Sequence, residues 1–212
     1  MTCGKYPPCH HVHPMPSLEA VCAKLFGRPG WIPKVLWGGA LSFVPGINLF
    51  ALGYLLTYAL QIRHNRNFDL PEWSDMSIGE LFINGLKLFA LLVAYIGVPL
   101  FVGWLVGILL FLFSFGLLGI VAFFPIAVAG FFSPMLLLRA LHAYIRHEEF
   151  ADAWNVRVIV RSAFTDWKHL ALPIVTFWGV FLMAIPVYGL SFFIGMWVLI
   201  AYSSALRIKN FS

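Results

Sequence analysis

An all-α membrane protein built of helical hairpins is the fold class this sequence predicts, and three observations predict it. Of 212 residues, 61% are hydrophobic and only 11% charged, against roughly 25% charged in a soluble domain. A water-soluble fold of this size has no interior large enough to hide that apolar surface. The charges also leave long gaps, at 35–62, 88–138 and 169–206, and a spanning helix needs about 20 apolar residues. Finally, these runs do not alternate polar and apolar residues as the strands of a membrane barrel do.

Residues 1–16, MTCGKYPPCHHVHPMP, read as a flexible tail rich in Cys and His. Residues 17–34 read as a short amphipathic helix and a linker. Leu18, Val21, Cys22, Leu25 and Phe26 recur on one helical face, Ser17 is the candidate N-cap, and Gly27 with Pro29 ends the helix. Such a helix lies either in the membrane interface or on the protein's own surface. Residues 35–212 form a single membrane domain. The first 30 residues lack a basic start followed by an apolar core, so no secretory leader is expected. Three cysteines, an odd number, argue against a disulfide framework.

The first apolar run carries Pro45 and Gly46, which remove a backbone donor and permit a turn. Two readings follow: a re-entrant hairpin that leaves by the side it entered, or a kinked single crossing. Basic residues collect on the cytoplasmic side. Four lie before residue 35, three in 63–87, five in 139–168 and two at the C-terminus. A re-entrant hairpin places all fourteen on one side; a single crossing splits them four against ten. The charge rule therefore favours re-entry, with both termini cytoplasmic. In that arrangement Asn48 is placed to satisfy carbonyls freed at the break.

The run 88–138 suits two crossings with a turn near Phe113–Gly116, and Pro99, Pro125 and Pro134 are expected to kink the helices. The run 169–206 suits two short crossings about Pro186–Gly189. In the loop between them, Phe150, Trp154 and Val158 step by four while Arg157 and Arg161 form a ridge. One amphipathic helix along the headgroups is expected there. Earlier, Pro71 and Trp73 anchor a turn, and Ser77 caps a helix start with Glu80 three residues on.

Several residues could carry chemistry. Cys3, Cys9, His10, His11 and His13 are thiol and imidazole groups of the kind that bind zinc or copper, although the tail holds no C-x-x-C spacing. His142 and His169 flank the polar loop and could ligate haem or chlorophyll; no cofactor is otherwise predicted. Gly103 and Gly107 form a GxxxG that permits close helix approach. Asp69, Glu72, Asp75 and Glu80 read as a solvated acidic face beside Arg63 and Arg66.

The pattern GGALSFVPGINLFALGYLL, then DLPEW, GELFINGLKLF and FADAWNV, resembles a prokaryotic family of integral membrane domains of unknown function. Members show an apolar run ending in GYLL, an LPEW turn and a late F-x-x-x-W helix. The resemblance spans roughly residues 35–210 and implies no established activity. It does imply a multi-pass protein of the prokaryotic cytoplasmic membrane.

Function is bounded mainly by exclusion. Ionisable residues within membranes mark transport routes, and none lies in 35–62, 88–138 or 170–206. An ion-coupled pump is therefore not expected, nor is a nucleic-acid partner, because no basic cluster is interleaved with aromatics. The leading expectation is a non-catalytic accessory, scaffold or assembly subunit whose partners are membrane lipid and other integral membrane proteins. The alternatives are a passive channel or small-solute or lipid-handling protein, and a membrane enzyme acting around His142, His147, Glu148 and Glu149.

Overall fold

The computed structural model describes residues 17–114, 119–165 and 167–206. The tail candidates Cys3, Cys9, His10, His11 and His13, the turn residues Phe115 and Gly116, and the basic residues Arg207 and Lys209 lie outside them. Among the described residues all regular structure is helical, in nine α-helices. These are α1 (Leu18–Phe26), α2 (Trp31–Ser42), α3 (Asn48–Asn65), α4 (Ile78–Leu92), α5 (Val98–Phe113), α6 (Phe124–His147), α7 (Val156–Thr165), α8 (Trp167–Met183) and α9 (Tyr188–Ala205). Among the described residues, three stretches are long and apolar enough to cross a membrane: Ile78–Phe113, Val121–His147 and Ile185–Ala205. Helix α8, at 17 residues, sits at the lower limit of about 17–25 for a crossing.

The helix starts follow their caps. Ser17 Oγ accepts from Ala20 N–H at 3.1 Å and Ser77 Oγ from Glu80 N–H at 3.2 Å. Helix α1 lays Val21 and Leu25 into the protein's own core and packs beside α9, where the rings of Phe26 and Trp197 meet at 5.4 Å.

Helices α2 and α3 form a hairpin. Gly46 adopts φ +87° at its tip, a conformation open to glycine because it lacks a Cβ. The turn is closed by backbone, with Asn48 N–H donating to Val44 O at 2.9 Å. Lys34, at the start of α2, donates to Leu70 O at 2.7 Å, beyond the end of α3. One continuous helix over 35–62 would hold those ends about 40 Å apart. The chain therefore enters and leaves this hairpin at the same end. Its tip rests on the start of α9, where Tyr188 Oη donates to Phe43 O at 3.2 Å.

Glycines set the closest crossings. A Cβ on Gly53 would lie 1.9 Å from Leu81 O, and one on Gly85 would lie 1.9 Å from Leu49 O. This reciprocal pair runs α3 antiparallel to α4 with their backbones in contact. Gly103 and Gly107 do the same in α5, facing Pro125 O of α6 and Ala122 O of the 3-10 turn that precedes it. The GxxxG is thus spent inside the chain.

The prolines behave in three ways. Before Pro99 the helix widens into a π turn at Val93–Gly97, where Val98 N–H reaches back to Val93 O. A π turn makes room where the proline ring would strike the carbonyl four residues earlier. Pro125 opens α6 after a short 3-10 turn. Pro134 and Pro173 sit inside unbroken helices. Each leaves a carbonyl four residues back without its usual donor, and a neighbouring helix supplies one. Trp178 Nε1 donates to Gly130 O at 3.1 Å, and Tyr202 Oη donates to His169 O at 3.3 Å. Helix α9 thus caps α8, and α8 caps α6, as packed transmembrane helices do around prolines.

The polar loop departs from the expected single helix. Phe150–Trp154 is a 3-10 turn, Asn155 is non-helical at φ −77°, ψ 72°, and α7 starts at Val156. Asn155 O instead accepts from Val158 and Ile159 N–H and so opens α7. The 3-10 turn lets Ala153 O meet Tyr95 Oη in the π segment. Phe150 and Trp154 therefore pack on each other, centroids 5.8 Å apart, and do not share a face with Val158.

Candidate functional site

Two polar regions interrupt the apolar body. The first surrounds the extended segment 66–76. Ahead of its 3-10 turn at Trp73–Asp75, three of its carbonyls are met by side chains. Tyr58 Oη donates to Phe68 O at 3.2 Å, Lys34 Nζ to Leu70 O at 2.7 Å, and Tyr54 Oη to Pro71 O at 2.7 Å. Trp73 stacks on Tyr54 with centroids 4.0 Å apart, and its indole donates to Lys34 O at 3.3 Å. The GYLL and LPEW stretches therefore meet as one joint.

The acidic residues of this segment take different partners from those expected. Asp69 pairs with Arg28, and Glu72 with Lys34 at 2.7 Å; both cations precede or open α2, and neither is Arg63 or Arg66. Burial raises the Asp69 pKa, but hydrogen bonds from Arg28 and Asn67 outweigh it, so the carboxyl is held below its ordinary value. A cavity of about 270 Å³ lies beside these pairs, walled by Trp31, Phe68 and Trp197. Its charges already face one another, which makes it a packing joint.

The second region is a basic cavity of about 220 Å³ between the C-terminal part of α6, the Phe150–Trp154 turn and α7. Arg139, His142 and Arg146 line it at spacing i, i+3, i+7, which puts them on one face of α6. Arg139 is only 6% exposed. His142 is half-buried, and Arg146 and His147 are exposed at the mouth. His142 Nδ1 lies 2.9 Å from Leu138 O; a carbonyl can only accept, so Nδ1 carries the hydrogen and the ring is held in register. Asn155 and Ser162 add neutral polar groups from the facing wall, and Asp152 is the acidic residue of the lining.

His169 does not join His142 there. It is exposed near the start of α8, and its carbonyl is the one capped by Tyr202. His64 pairs instead with Glu148, Nε2 to Oε1 at 3.2 Å, tying the ends of α3 and α6. Among the described residues no group of three or more His, Cys, Asp or Glu is placed to hold a metal ion. Arg139 and Arg146 were legible in the sequence only as loop charges; their spacing with His142 was the signal that sets them on one face.

These features define a protein that is all-helical among the described residues, with three helices there long and apolar enough to cross a membrane. The chain belongs to the family described as "Protein of unknown function (DUF4013)", whose sequence model matches residues 39–200. No curated protein and no solved structure matches the chain.

Proposed function

We propose that this protein is a non-catalytic integral membrane subunit that packs against a larger membrane protein complex and helps assemble it. The projecting hairpin of α5 and α6 carries this reading. In α5 only Gly103 and Gly107 are buried, while Phe101, Trp104, Phe111 and Phe113 are exposed. The most apolar window of Ile78–Phe113 is 11% buried inside the chain, whereas that of Ile185–Ala205 is 50% buried.

The hairpin therefore uses its small residues on itself and turns its rings outward. In lipid, helices associate through shape-matched packing and hydrogen bonds. A face rich in bulky rings offers such packing to the apolar helices of another membrane protein. The role of GYLL, LPEW and FADAW as joints between elements supports a packing function over catalysis. The distribution of lysine and arginine supports a multi-pass protein with both termini cytoplasmic, and the family resemblance suggests the prokaryotic cytoplasmic membrane.

Mild-detergent extraction from the native membrane tests the role. Stoichiometric co-migration with a larger complex is expected. A protein that migrates alone and conducts solute in vesicles refutes it. Sided labelling of an N-terminal tag and of the 139–168 loop tests the topology; both are expected on the same face.

A further inference from the structure

We infer that the outer part of the α5–α6 hairpin swings as one rigid unit on a two-helix hinge, formed by the π turn at Val93–Gly97 and by α6 between Gly130 and Pro134. The register of the hairpin sets these two points side by side. Gly103 faces Pro125 O and Gly107 faces Ala122 O; nearer the base, a Cβ on Gly130 would lie 3.8 Å from Leu100 Cδ2. The same antiparallel register brings Pro134 to the π turn, which packs on α6. Pro134 also withholds the donor that Gly130 O would have within α6. Both helices therefore carry a weak point at one level. Helices kink at prolines and at π turns, and π turns recur at functional sites.

Packing changes at the same level. Every buried residue of α6 lies at or after Ser133. On the other side, burial runs from Leu81 through Gly85, Leu88 and Leu91 to Tyr95, and beyond it continues only at Gly103 and Gly107. Those two glycines hold α5 against α6, so the outer part moves without parting. At the base, Tyr95 Oη donates to Ala153 O and fixes the π turn to the core. Trp178 Nε1 donates to Gly130 O at 3.1 Å and serves as a latch to α8. Gly97 and Gly130 complete the device. Neither has a positive φ, and a Cβ on Gly97 would meet only Val93 Cγ1, at 3.9 Å. An interior glycine loosens a helix relative to alanine, and here neither a turn nor a close approach requires one. From Val98 to Leu112 the helix is a lever of about 21 Å, so a change of about 20° at the hinge moves its end by about 7 Å. The exposed rings of Phe101, Trp104 and Phe111 travel with it. The motion depends on internal packing alone and needs no partner.

Spin labels on the full chain in phosphatidylcholine nanodiscs test this. Cys3→Ala, Cys9→Ala and Cys22→Ala leave only introduced thiols to label. Leu112→Cys and Leu172→Cys, both at exposed positions, pair the outer hairpin with α8. Hinge motions run on microseconds to milliseconds, and pulsed electron resonance of rapidly frozen samples reads the spread of distances they leave. Phe101→Cys with Ile120→Cys reports within the outer part, and Ile83→Cys with Leu172→Cys within the base; these positions are exposed too. The first pair is expected to be about twice as broad as either control pair. Gly97→Ala with Gly130→Ala, which the surrounding contacts admit, is expected to narrow it to about half its width. Trp178→Phe is expected to widen it. Retained helical circular dichroism checks the fold of each variant. A first-pair distribution no broader than the controls overturns the inference. So does one that the two alanines leave unchanged, because the spread would then arise elsewhere. An unchanged width in Trp178→Phe overturns the latch at Gly130.

Discussion

Replacing Tyr202 with Phe removes one hydroxyl and almost no volume, which makes the carbonyl cap on His169 measurable. Pro173 cannot donate to His169 O, and Tyr202 Oη lies 3.3 Å from it. The tyrosine is 7% exposed, so water is a poor substitute. Hydrogen bonds between helices in membrane proteins contribute about 0.6 kcal/mol on average and up to about 1.7, and a buried acceptor left unmet costs about 1–3 kcal/mol. Tyr202→Phe should therefore destabilise by about 1 kcal/mol. The decisive comparison is made in Pro173→Ala. There the alanine N–H can serve His169 O within α8, and the same Tyr202→Phe change should cost little. Unfolding by SDS in mixed micelles, run on the four proteins of the cycle, should give a coupling of about 0.5–1.5 kcal/mol. Equal cost in both backgrounds would falsify the capping argument and leave Tyr202 as an ordinary packing residue. The cap at Pro134 obeys the same logic, with Trp178→Phe measured against Pro134→Ala, although indole loss also removes ring area.

Three further outcomes follow from contacts already described. Gly53→Ala drives a Cβ to 1.9 Å from Leu81 O and should destabilise by about 1–3 kcal/mol or more. Gly79→Ala meets nothing within 4 Å and should be neutral or stabilising by up to about 1 kcal/mol; thermal unfolding in detergent compares the two. The Asp69 carboxyl is lowered in the folded state, so its contribution is complete above the unfolded value near 3.8 and fades as pH falls through the lower folded value. Proteolysis of segment 66–76 should accelerate only in that acid range, and Asp69→Asn should be cleaved faster at neutral pH with the acid dependence flattened. Tyr95→Phe frees Ala153 O, and hydrogen exchange should rise across 150–155 while α3 and α9 stay protected; unchanged exchange there counts against the Tyr95–Ala153 link.

Apolar periodicity and charge gaps carried most of the architecture because lipid imposes them on the sequence itself. The N-caps at Ser17 and Ser77 were equally legible, since a cap is a contact three residues away. The amphipathic helix of the loop is present as α7, but residues 150–155 were read as part of it for the converse reason. Its step-of-four pattern fits one helix locally, but Tyr95, fifty-eight residues away from Ala153, meets the backbone of a 3-10 turn. The partners of Asp69 and Glu72 were missed similarly: Arg63 and Arg66 are near in sequence, while Arg28 and Lys34 are near in space only after α2 and α3 fold back. The basic cavity was half visible, because the α6 face of Arg139, His142 and Arg146 is a matter of spacing. The wall from α7 that closes it is a matter of packing.

The same contacts separate a braced region from a projecting one. The α2–α3 hairpin meets the start of α9 at Phe43, and the proline carbonyls link α9 to α8 and α8 to α6. Such cross-helix bonds resist relative sliding, since moving any one helix leaves a buried carbonyl unmet. Beyond the π turn, α5 has buried glycines against α6 and exposed rings elsewhere. Its direction is set at Val93–Gly97, and Tyr95 fastens that joint to the Phe150–Trp154 turn, which also walls the basic cavity. The outward hairpin and the cavity therefore share one hydrogen-bonded element.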